Sequence, residues 1–219
     1  MADWDSADLL ARTRRYINRP DDDELVTDAF VYALLTEAQT EVMGELAALA
    51  PLSQMGAPVL LTSSDGGVTY TFGTDANGYA IFPLACEVYG TVNGRELRAC
   101  SWLSWGDFVI EGDKIRMPGN QAQTFESGPY ARFVRADASI SASTEPILKP
   151  APARILLVYR ALAKYAAVGG MRDPKPWEEQ YSEAWKRWLP AIRTQFADAT
   201  GVANEDLVLP QWWVSYGRV

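Results

Sequence analysis

The chain has 219 residues, 48% of them hydrophobic and 22% charged, with a formal net charge of −8, two cysteines and no histidine. This is ordinary globular composition, enough for one large domain or a domain with a sizeable insertion, and its acidity argues against general affinity for nucleic acid. The absence of histidine removes the commonest metal ligand and the usual acid/base near neutral pH, which argues against an enzyme without excluding one that works through paired carboxylates alone.

The N-terminal stretch MADWDSADLL is acidic and lacks the basic and apolar segments of a signal peptide, and no apolar run approaches a membrane span of roughly 18–20 residues. A cytosol-like compartment is therefore expected. Residues 6–18 are predicted to form a helix capped by Asp5 or Ser6, with Leu9, Leu10, Thr13, Tyr16 and Ile17 on one face. Asp21-Asp22-Asp23-Glu24 has the form of a capping box, which explains its acids better than a metal site does. A long helix follows to about Ala48, with Val26, Ala29, Phe30, Ala33, Leu34 and Val42 as its buried stripe.

From about Ala57 to Ile140 the chain turns to Gly, Thr, Val, Tyr and Trp. VLLTSSDGGVTYTF reads as a hairpin, LACEVYGTVNGRELRACSWL as a second with its turn at Asn93-Gly94, and FVIEGDKIRM as a third turning at Gly112-Asp113. YARFVRADASI adds a further strand. In the second hairpin Cys86 would oppose Ser101 and Cys100 would oppose Glu87, on opposite sheet faces, which argues against a disulfide. SSDGG lacks the Gly-Lys-Ser/Thr ending of a phosphate loop.

Helix returns after Pro150 and Pro152 and ends at Gly169-Gly170, with Ile155, Val158, Tyr159, Leu162, Tyr165 and Ala166 on its apolar face. A last helix spans about Pro176 to Ala199. Trp177, Tyr181, Trp185, Trp188, Leu189, Ile192 and Phe196 form its core stripe, and Pro190 should kink it near Lys186. The expected fold is α+β: a mainly helical bundle of two N-terminal and two C-terminal helices, with an antiparallel β region projecting from one end and an extended C-terminal tail. Its segments are 1–50, 51–148, 149–201 and 202–219.

Two features point outward. Between Pro20 and Gly94 there is no lysine or arginine, and Glu37, Glu41 and Glu45 lie four apart on one helical face, where like charges repel. Either the arginines of the first helix (Arg12, Arg14, Arg15) partly neutralise this face, or it meets a basic partner or lines a channel that repels DNA phosphates. The tail QWWVSYGRV carries Trp212, Trp213, Tyr216 and Arg218. Adjacent tryptophans of an extended chain face opposite ways, and Trp, Tyr and Arg are typical of interface hot spots. The tail packs on its own domain or docks on a partner.

The opening DLLARTRRYINRPDDDELVTDAFVYALLTEAQTEV, the stretch GDKIRMPGNQAQTFESGPYARFVRADASISASTEPILKPAPARILLVYRALAKYA, and EEQYSEAWKRWLPAIRTQF resemble, in order and kind, the helices, last strands and final helix of the head-to-tail adaptor (connector, head-completion) proteins of tailed bacteriophages. The resemblance covers most of the chain but carries no catalytic signature. It implies a non-enzymatic structural protein without cofactor or metal, placed at the head–tail junction of the virion and assembled in the host cytoplasm. Such a protein forms a ring, commonly of twelve copies, under the portal and contacts neighbouring subunits and the next neck or tail component. DNA passes through without sequence-specific binding, and no membrane is involved. On this reading Trp212, Trp213, Tyr216 and Arg218 dock on the portal, and the glutamate stripe lies at the lumen or pairs with the next subunit's Arg12, Arg14 and Arg15. A stopper or nozzle ring is the nearer alternative. A carboxylate-only enzyme, or a carbohydrate-binding module using Trp102, Trp105 and Tyr89, is the farther one.

Overall fold

The structure is a computed structural model that describes residues 4–17, 26–63, 65–74, 78, 80–101, 106–117, 124–135, 139–169 and 173–200, with side chains of the last helix described to residue 193. Helix α1 (Ser6–Ile17) begins where the Asp5 carboxylate accepts the Asp8 N–H at 2.7 Å. Helix α2 (Asp28–Leu49) starts at Thr27, whose hydroxyl accepts the Phe30 N–H at 3.3 Å, a cap contributing about 1 kcal/mol. A 3₁₀ turn, Pro51–Gln54, then leads into the strands.

Eight strands follow: β1 (Val59–Leu60), β2 (Thr62–Ser63), β3 (Thr69–Thr71), β4 (Ala85–Val92), β5 (Arg95–Cys100), β6 (Val109–Glu111), β7 (Lys114–Arg116) and β8 (Ser127–Val134). They form two antiparallel sheets ordered β1-β8-β4-β5 and β2-β3-β7-β6. Only Leu61 separates β1 from β2, so one short run of chain belongs to both sheets. At the other seam Gly106 bridges to Ala99, and the Asp107 N–H donates to the Arg98 carbonyl at 2.9 Å. The sheets thus meet along both seams as a flattened barrel around Tyr70, Phe72, Cys86, Val88, Ile115, Ala131 and Phe133. In the β4–β5 hairpin Glu87 opposes Cys100, and Cys86 exchanges hydrogen bonds with Ser101, as the Asn93-Gly94 turn requires. Both thiols are free and buried.

A second 3₁₀ turn, Ala151–Arg154, opens α3 (Ile155–Gly169), and α4 (Lys175–Thr200) continues as helix through Pro190. Helix α3 is the centre of the helical layer: Leu156, Leu157, Val158, Ala161 and Leu162 are all buried, which no one-sided stripe would give. Helix α4 is attached more lightly. Among its described side chains Tyr181 and Ile192 are buried, while Trp177, Trp185, Trp188 and Leu189 are half-buried against the core.

This corrects the expected architecture. The described residues hold four helices and two four-stranded antiparallel sheets, an α+β fold, and not a mainly helical bundle of two N-terminal and two C-terminal helices bearing a β projection. Helical periodicity finds the helices but is blind to pairing between distant hairpins. Such pairing joins β1 to β8 and β3 to β7 and gives the strands a core of their own. Nor does the β region merely project from the helices, since Ala85 and Val134 at its strand ends, with Ile140 and Leu148 beyond them, are part of the helical core. The stripe expected on α2 also changes. Val31, Leu34, Leu35, Ala38, Val42, Met43 and Leu46 are buried, whereas Ala29, Phe30 and Ala33 face outward. The first half of α2 is apolar nearly all round, so periodicity alone cannot set its phase. The expected capping box at residues 21–24 and the C-terminal tail lie outside the described residues.

Candidate functional site

Glu37, Glu41 and Glu45 face cations and a hydroxyl from the neighbouring helices. The Lys164 Nζ lies 2.6 Å from Glu41 Oε1 and 3.3 Å from Glu37 Oε2. The Arg160 Nε donates to Glu41 Oε2 at 2.5 Å, and the Tyr181 hydroxyl donates to Glu45 Oε2 at 2.9 Å. The Arg160 guanidinium also lies over the Tyr181 ring, 5.2 Å from its centre. Arg160 and Lys164 are four apart on α3, the same spacing as the glutamates they meet on α2, so repulsion along one helix is relieved by a matched row on the other. Burial pushes the Glu41 carboxyl up, but the bonds from Lys164 and Arg160 outweigh this and hold it below the usual carboxylate range. Burial, then the bond to Glu45, pushes the Tyr181 phenol far up. The outermost member, Glu37, keeps 62% of its side chain exposed.

The arginines of α1 go elsewhere. Arg12 pairs with Asp8 at 2.9 Å and lies over Trp4, 4.2 Å from the ring centre. Arg14 is buried and holds Asp28, at the start of α2, through its Nε at 2.9 Å. Arg15 is exposed. The structure therefore places Glu37, Glu41 and Glu45 together and keeps Arg12 on Asp8 and Trp4 and Arg14 on Asp28, away from that row. Trp212, Trp213, Tyr216 and Arg218 lie outside the described residues, as do Trp102 and Trp105. Tyr89 stands beside Tyr130 on the outer face of the first sheet, ring centres 5.8 Å apart.

Polar side chains that sequence reasoning passed over fasten the chain from residue 139 to 150 along α2. Thr36 Oγ1 accepts the Ile140 N–H at 2.9 Å, Gln39 Oε1 accepts the Ile147 N–H at 2.9 Å, and Gln54 Oε1 accepts the Lys149 N–H at 3.0 Å. Glu145 accepts the Ser6 N–H at 3.0 Å, and Arg154 donates to the carbonyls of Leu148, Trp4 and Pro146. Buried Gln39 and Gln54 at helical spacing from apolar neighbours are the signal that could have revealed this strap. The SSDGG turn is likewise structural. Asp65 accepts the N–H groups of Thr69 at 2.7 Å and Val68 at 3.1 Å, and the Thr69 bonds above all bring its carboxyl to about 2.

Apolar groups stand exposed on both parts of the molecule. On the helices Tyr16, Phe30 and Val168 are exposed, with Phe30 edge-on to Tyr165 at 6.3 Å. On the barrel Val59, Leu60, Phe82, Leu84 and Val109 are exposed. A cleft of about 220 Å³ opens between α3 and α4. Among the described residues no three His, Cys, Asp or Glu side chains are grouped so as to hold a metal ion, and no helix is long and apolar enough to cross a membrane. Comparison with known proteins finds no family model that matches the chain and no curated protein that matches it.

Proposed function

We propose that the chain is a structural subunit of a tailed bacteriophage, a head-to-tail adaptor that forms a ring under the portal, extends the DNA channel and joins capsid to tail. The observation that carries this reading is the pair of unlike apolar surfaces, Phe30 and Val168 on the helical layer and Phe82 with Leu84 on the barrel, each backed by its own core. A ring built head to tail needs two different surfaces on every subunit, one to give and one to receive. Phe30 meets Tyr165 and Phe82 stands two residues from Leu84, and exposed apolar groups brought together in this way mark such contacts. The net charge of −8 supports a channel that repels phosphate and lets DNA slide. The aromatic tail supports a portal joint, since a modest contact repeated around a ring gains strength by multivalency.

Co-sedimentation of the purified chain with the portal ring encoded by the same genome tests this. Full-length protein is expected to sediment with the portal, and protein truncated after Pro210 is expected to remain behind. If neither form binds, the adaptor reading falls.

A further inference from the structure

Two features of complementary shape lie on different parts of the surface. The first is a knob. Phe82, in the connection from β3 to β4, is 65% exposed, and its ring lies over Gly112, 3.7 Å from where a Cβ would stand. Asp113 and Lys114 follow Gly112 where the chain turns into β7, and neither side chain makes an ion pair among the described residues. The second is the cleft between α3 and α4, lined by Ile155, Tyr159, Ala184 and Trp188 and by the polar Gln180, Glu183 and Arg187. The small side chain of Ala184 leaves room between larger neighbours. A cavity of about 150 Å³ already holds a benzene ring, so a cleft of about 220 Å³ has room for a phenyl group. Glu183 makes no ion pair among the described residues, and Arg187 lies over Trp188 at 5.8 Å with no carboxylate partner there. The knob thus brings one acid and one base, and the cleft brings one base and one acid. Within one chain Phe82 stays in solvent, and the charges on the turn beneath it complement those that line the cleft.

We infer that Phe82 of one copy seats in the α3–α4 cleft of the next, with Lys114 meeting Glu183 and Asp113 meeting Arg187. This rests on the ring-subunit reading above; it takes the barrel surface as the giving one and the cleft as the receiving one, leaving Phe30 and Val168 outside this contact. Knob and cleft are different surfaces, so each copy gives one and receives one, and the series closes as a ring or grows as a filament. The aromatic walls and the two ion pairs make the seat selective for this orientation.

Paired cysteine substitutions in the full-length chain test the contact. The native thiols do not interfere: burial pushes Cys86 up to about 12 and Cys100 up to about 11, so neither reacts readily. Mild oxidation of the Lys114→Cys/Glu183→Cys double variant, which keeps Phe82 and Ala184, should give a ladder of covalent multimers that stops at the ring size. An equimolar mixture of the two single variants should give a covalent heterodimer, and each alone should form no covalent multimer. A double variant that forms no covalent multimer overturns the contact, as does a Lys114→Cys single variant that cross-links to itself. A Phe82→Ser variant should also lose self-association at least tenfold in sedimentation. Rings that persist in that variant overturn the contact while leaving the ring reading in place. A ladder from protein that fails to sediment with the portal removes the adaptor reading and leaves the contact standing.

Discussion

A Cβ added at Gly106 would stand 2.6 Å from the Ala99 Cβ and 2.9 Å from the Ala99 Cα. Backbone and Cβ atoms cannot swing aside, so Gly106→Ala must push β5 away from the strand that follows it. The expected cost is about 2 kcal/mol, in the range of overpacked interiors, read as a lower denaturation midpoint in urea with unchanged slope. Asp65 makes a different prediction at the same scale. Its carboxyl sits at about 2 in the folded chain, below the ordinary 3.8, because it accepts N–H groups that the unfolded chain does not offer it. The depressed value means that the turn is favoured above the unfolded value and that this contribution fades as pH falls from about 4 towards 2. Carboxyl NMR should follow Asp65 titrating near 2. A midpoint near 4 would mean that the turn is not held in this way.

At the scale of elements, the matched rows on α2 and α3 set how firmly the helices register. Glu41 touches both Arg160 and Lys164, but the site is partly exposed, with 37% of the Glu41 side chain accessible. Solvent screens such pairs, so the coupling is modest. A double-mutant cycle on Glu41→Gln and Lys164→Met should return about 0.5–1 kcal/mol at low salt and lose most of it near 1 M salt. Coupling that ignores salt would mean that packing and not charge holds this seam. The seam also marks how far the sequence could be read. The acid row was visible at once because three glutamates four apart need an account. Its partners were hidden because Arg160 and Lys164 lie among apolar residues, and it was those apolar residues that assigned α3 its face. Hairpin turns were legible wherever the backbone needs glycine: Asn93 and Gly94 both have positive φ, as the two-residue turn demands. The phase of α2 was not legible, because Phe30 and Val31 are both apolar and only packing decides which of them is buried.

At the scale of the whole molecule, the two cores explain why local patterns gave the right parts and the wrong whole. Each hairpin can be read from a few neighbouring residues, but β1 meets β8 across about seventy residues of chain, and no periodicity carries that information. The same organisation frames the assembly expectations. Surfaces on the barrel and on the helices belong to differently built regions, so each can meet a different neighbour. The tail residues that prompted the portal expectation lie beyond Thr200, outside the described residues, and their test is the truncation after Pro210.

The pairing of β1 with β8 has one more consequence. The first and last strands of the β unit are neighbours, and the Gly56 N–H donates to the Phe133 carbonyl at 3.2 Å just where the chain arrives and departs. A unit whose two ends leave side by side can be lifted out as a cassette. Another β unit with adjacent ends could take its place without moving α1 to α4, provided it supplies small apolar groups where Ala85 and Val134 now meet the helices.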